Sequence, residues 1–128
     1  MSKNVADILW QKACHDYNAA ERLVDVDPEV VGDPAFGFLL QQSVEKAIKS
    51  RIEQKNLAYK KVHDIALLLE ILSKKMEIPE AFSDLFGLSS YASTERYESP
   101  FSPNRLDRRR LLGRVRAFLE FLECEGGS

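Results

Sequence analysis

The sequence predicts an all-α protein, an antiparallel up-and-down bundle of four main helices and one short one. Three observations carry that expectation. Apolar residues recur at three- and four-residue steps in nearly every segment. No strand-like alternation occurs, and no hairpin turn of the Asn-Gly type. Proline, glycine and serine cluster only between the periodic segments.

The first helix is expected over about residues 3–25, with Val5, Ile8, Leu9, Ala13, Tyr17, Ala20, Leu23 and Val24 as one buried stripe. Asp25-Val26-Asp27-Pro28 ends it, because proline cannot continue the hydrogen-bond ladder. Asp33 then reads as an N-cap with Pro34 at the first helical position. The second helix runs to about residue 55 and buries Phe36, Leu39, Leu40, Ser43, Val44, Ala47, Ile48 and Ile52. A third, 64–76, is capped by Asp64 or His63 and is apolar on more than one side. A short helix follows at 79–93, then a loop rich in serine and proline to 103. The last helix spans about 104–123 and stops at Gly126-Gly127.

The 128 residues amount to one domain, 1–128, large enough to fold on its own core. Apolar residues make up 45% and charged residues 30%, a globular balance that argues against disorder. No apolar run is long enough for a membrane span, and the N-terminus carries no signal-peptide pattern. The expected location is the cytoplasm. Cys14 and Cys124 form no metal-binding spacing, and with two histidines in the chain no zinc set is expected. Both cysteines are expected as core or boundary residues. No cofactor is expected, since no phosphate-binding glycine loop, dinucleotide fingerprint or HExxH occurs.

Charge is uneven along the chain. Residues 1–45 hold three basic and eight acidic groups, and residues 46–75 hold eight and three. Arg105, Arg108, Arg109, Arg110, Arg114 and Arg116 crowd the last helix. A sequence pI of about 5.7 and the lack of interleaved aromatics favour internal salt bridges over a nucleic-acid surface. Lys46 and Lys49 are three apart on one helix, as either a solvated face or a phosphate contact. His63 and Asp64 read as helix-start residues or as ligand contacts at the mouth of the bundle. Tyr91 and Tyr97 could stack a base or lock a loop onto the bundle, and Arg96 could line a cleft.

Taken in order, Trp10, Ala13, Asp16-Tyr17 and Ala20, then Gln41-Gln42-x-x-Glu45-Lys46-Ala47-x-Lys49, then His63-Asp64-Ile65, then Tyr91 and Arg96-Tyr97, resemble the HEPN family. The resemblance covers about residues 5–122. It implies a helical bundle that is usually a homodimer, often encoded beside a minimal nucleotidyltransferase, sometimes as a toxin–antitoxin pair. It also implies a nucleotide ligand, with Lys46, Lys49, His63, Asp64, Tyr91, Arg96 and Tyr97 as candidate contacts.

One branch of that family cleaves RNA without metal, using an Arg and a His separated by four to six intervening residues. This chain departs from that pattern. Arg51 stands twelve positions before His63, and no Arg precedes His15. Acid–base cleavage near neutral pH wants a group titrating there, which His supplies and Arg does not. No catalytic residue is therefore expected. A ribonuclease and a purely structural dimer are the alternatives to a binding module.

Overall fold

The computed structural model describes residues 4–59, 64–92 and 106–126. They form four α-helices, α1 (Val5–Leu23), α2 (Asp33–Gln54), α3 (Ile65–Leu72) and α4 (Arg108–Gly126), and one 3₁₀ segment, η1 (Glu80–Ala92). No strand occurs among the described residues.

α2 is the hub. It packs against α1, α3, η1 and α4, whereas α1 and α3 do not meet. Its Phe36, Leu40, Val44, Ala47, Ile48 and Ile52 join Ile65, Leu68 and Leu72 of α3, Leu85 of η1, and Val115, Phe118 and Leu122 of α4 in one core. Phe82 sets its ring edge-on to Phe118, with centroids 5.2 Å apart.

The α1–α2 seam differs from the expected stripe. The buried residues of α1 are Ala6, Ala13 and Ala20, while Val5 and Ile8 are 57% and 41% exposed. Facing them, Ser43 Oγ donates to the Ala13 carbonyl (2.8 Å) and Ser50 Oγ to that of Ala6 (2.7 Å). Numbers rise along α2 as they fall along α1, in steps of seven on both. Such side-chain-to-backbone bonds require close backbone approach, which alanine permits and valine or isoleucine would block. The larger residues are therefore turned outward.

Helix ends follow local chemistry. Asn4 caps α1 through Asp7 N–H (2.8 Å). Asn56 takes the left-handed conformation after α2 (φ 56°). Leu57 N–H reaches back to the Ile52 carbonyl and Asn56 N–H to that of Glu53, each 3.1 Å, a Schellman closure. Asp64 caps α3, accepting from Ala66 and Leu67 N–H. Asp107 caps α4 through Arg110 N–H (3.1 Å), so that helix starts at 108 rather than 104 and continues through Gly126.

Three further expectations change. Asp33 is not the cap of α2: Gly32 is, without a side-chain bond, and Asp33 opens the helix instead. α3 ends at Leu72, four residues early, in a run of turns through Lys75 and Met76. The segment after Pro79 is 3₁₀ rather than α, since Gly87 and three serines give it little helix propensity. The loop expected at 93–103 lies outside the described residues.

Candidate functional site

The most informative polar surface belongs to α2. A dozen of its residues are buried, and one stripe, Gln42, Lys46, Lys49 and Glu53, stays partly open. The sequence motif singled out above supplies Gln42, Lys46 and Lys49 of this stripe and the polar residues beneath them.

Those buried residues are bonded in a chain. Gln42 Nε2 donates to Gln41 Oε1, Gln41 Nε2 donates to Glu45 Oε1 (both 2.8 Å), and Lys49 Nζ lies 3.1 Å from Glu45 Oε2. Gln41 and Glu45 are almost fully inaccessible, and a buried carboxylate needs such partners. Lys46 Nζ reaches across to Asp16 Oδ2 of α1 (2.6 Å). Lys46 and Lys49 side chains remain 25% and 13% exposed. Farther along, Tyr59 O–H donates to Glu53 Oε1 (3.2 Å). Burial, then the Glu53 charge, raises the Tyr59 phenol above its ordinary value.

Of the seven candidate contacts, the structure thus brings Lys46 and Lys49 onto one stripe, each held by a carboxylate. The Asp64 carboxylate is bound to two N–H groups of α3. His63, Arg96 and Tyr97 lie outside the described residues, and Tyr91 is described only as part of η1. The reading of residues missed Asp16, Gln41 and Glu45 as the partners that orient this stripe. For Gln41 and Glu45 the available signal was their spacing with Lys49 on α2, 41/45/49.

Arg108, Arg109, Arg114 and Arg116 of the arginine-rich helix are tied internally, as the charge pattern favoured, while Arg105 lies outside the described residues. Arg108 is buried. It donates Nε to Asp33 Oδ1 (2.8 Å), Nη1 to the carbonyls of Leu23 (2.8 Å) and Val26 (3.2 Å), and Nη2 to that of Val31. Asp33 Oδ2 accepts Leu106 N–H (3.0 Å). Asp33 failed as a cap because this bidentate role claims both oxygens. Arg109 pairs with Asp25, Arg116 with Glu120, and Arg114 with both oxygens of Asp84 (2.9 and 3.1 Å) and the Ala81 carbonyl.

Arg51 is also buried. Its guanidinium stacks on Trp10, 4.0 Å from the ring centroid, and Nε donates to the Leu122 carbonyl (3.2 Å). Burial lowers its pKa while the Glu123 charge works the other way. Cys14 is half-buried and its thiol is pushed up by burial, then by Glu123, which keeps it protonated at neutral pH. Cys124 is exposed rather than a core residue.

Two hollows remain. One, about 310 Å³, lies among Asp25, Asp27, Asp33, Asp107 and Arg108, and its carboxylates are spent on caps, turns and arginines. The other, about 590 Å³, opens between α3 and η1. No grouping of His, Cys, Asp and Glu fit to hold a metal occurs among the described residues, nor a helix long and apolar enough to cross a membrane.

Comparison with curated proteins and with solved structures gave no match. The family model of the HEPN domain matches residues 6–125. That span holds the α2 motif, the arginine-tied last helix and the core that joins them, and the chain belongs to the HEPN family.

Proposed function

We propose that the chain is a non-catalytic binding module. It is an antiparallel HEPN bundle that dimerises in the cytoplasm, takes a nucleotide, and pairs with a minimal nucleotidyltransferase in the manner of a toxin–antitoxin couple. At family level, HEPN membership supports a nucleotide-binding or ribonuclease-like helical module. The observation that favours binding is the α2 stripe. Two ammonium groups lie partly open on one helix face, already oriented by Asp16 and Glu45. An ammonium has three N–H donors, and each of those bonds uses one, so a phosphate oxygen can be met by the others. Against cleavage stands the sequence itself, in which no His follows an Arg at the spacing of the ribonuclease branch. In such a dimer a second copy would cover Leu67 of α3, which is 47% exposed.

Calorimetric titration with ATP, GTP and their monophosphates tests this reading, alongside co-purification with the product of the neighbouring gene. The expected result is nucleotide binding that Lys46→Ala and Lys49→Ala weaken, in variants whose melting remains cooperative, with RNA left intact in EDTA. RNA cleavage in EDTA that His63→Ala abolishes would establish the ribonuclease instead. Neither ligand nor complex would leave a structural dimer.

A further inference from the structure

We propose that the cleft between α3 and η1 is a docking groove for a short basic segment of a partner protein, anchored by a leucine- or phenylalanine-sized side chain. It stands apart from the α2 stripe and needs no nucleotide.

The groove has an apolar floor. Leu69 and Ala66 of α3, Ile78 and Pro79 of the linking turn, and Phe82 of η1 line it. Its volume of about 590 Å³ falls in the range of formed binding clefts. Its rims are acidic. Glu70 stands on the α3 side and Glu80 on the η1 side, both exposed. Ser73 and Ser83 supply the other polar lining, and no cationic side chain lines the groove among the described residues. The lysines nearest in sequence, Lys74 and Lys75, belong to the turn beyond α3 and are not part of the wall.

This combination selects its occupant. An apolar floor rewards burial of a large aliphatic or aromatic side chain. Two exposed carboxylates lining the groove, Glu70 and Glu80, repel an acidic segment and attract Arg or Lys flanking the anchor. The residue chemistry is that of a helix-in-groove site. α3 is 8 residues long, about 12 Å, so the groove reads about two turns of a bound helix. α3 meets only α2 and η1 among the described elements, which leaves its outer side accessible.

The test uses the full chain and a fluorescent synthetic helical peptide carrying leucine anchors flanked by arginines. A second peptide has glutamates in place of the arginines. Fluorescence anisotropy should show saturable binding of the arginine peptide, weakened by salt, and none of the glutamate peptide. Reversing the rim with Glu70→Lys and Glu80→Lys should raise Kd at least about tenfold. Filling the floor with Ser83→Trp should do the same while thermal melting stays cooperative. Equal affinity for both peptides, or affinity unchanged by rim reversal, would overturn the proposal. So would loss of self-association in Ser83→Trp by sedimentation, since that would assign the groove to a second copy. Nucleotide titration of the rim variants is expected to match the wild type, which keeps this result separate from the fate of the α2 stripe.

Discussion

α2 is flanked by two packing regimes. Toward α1 it presents Ser43 and Ser50 to a row of alanines, and the backbones come close enough for hydroxyl-to-carbonyl bonds. Toward α3 and η1 it presents aliphatic side chains to leucines and isoleucines, and beyond them a cleft stays open. Small residues close a surface because helices can approach until the main chains limit them. Large residues fill the centre but leave gaps where short elements end. The closed side also carries the polar ties, Lys46 to Asp16 and Arg108 to Asp33. The open side carries the exposed Leu67 and the acidic rim. Close backbone packing and an open cleft thus fall to different neighbours of one helix.

The largest effect should come from cutting the tie that closes the α1–α2 link. Arg108→Met removes a buried cation that satisfies Asp33 and three carbonyls at once. Breaking one partner of such a pair costs about 3–5 kcal/mol. Arg108→Lys keeps the charge but not the planar fork, and should recover only part of the loss. Urea melts of both variants against wild type measure this. Full recovery by lysine would mean the site needs charge alone.

Next comes a matched pair of alanine substitutions. Ala13 is fully buried on the closed side, and Ala66 lines the open cleft. Ala13→Leu should cost about 1–3 kcal/mol or more by forcing the helices apart. Ala66→Leu, growing into the cleft, should change stability by less than about 0.5 kcal/mol. Equal penalties in denaturant melts would erase the contrast between the two sides.

The sequence made the two regimes unequally legible. The core face of α2 and the apolar side of α4 stand out by period, because large side chains at helical spacing must be buried. α1 misled because Val5 and Ile8 extend the same period as Ala13 and Ala20, yet hydrophobicity says nothing of how near the next backbone lies. The signal was size: small residues recur at the same step of seven on both helices, Ala6 and Ala13 of α1 against Ser50 and Ser43 of α2. Asp33 was equally ambiguous. A residue before Pro34 is a good cap in isolation, and only Arg108, distant in sequence, turns it into an ion-pair partner. For the candidate site, periodicity placed Lys46 and Lys49 together, with Glu45 one turn before Lys49, but could not tell that Asp16 of α1 holds Lys46. Pair formation between helices is a property of packing, not of local pattern.

The smallest effect concerns the join between the open side and α4, where Arg114 grips Asp84 of η1. The hydrogen bond from Arg114 is the main cause holding the Asp84 carboxyl below its ordinary value of 3.8, with desolvation opposing it. A depressed folded value means the unfolded chain binds the proton more readily there. The pair's contribution is therefore complete above about 3.8 and is lost as pH falls through the lower folded value. Asp84 is half exposed, so water screens much of the attraction and the contribution is small. Asp84→Asn should accordingly leave a slightly lower melting temperature at neutral pH and a shallower decline below 3.8. Parallel melting-temperature curves for wild type and variant across that acid range would show that the Asp84 charge adds nothing, and that η1 is held to α4 by the rings of Phe82, Phe118 and Phe121 and by the Arg114–Ala81 bond.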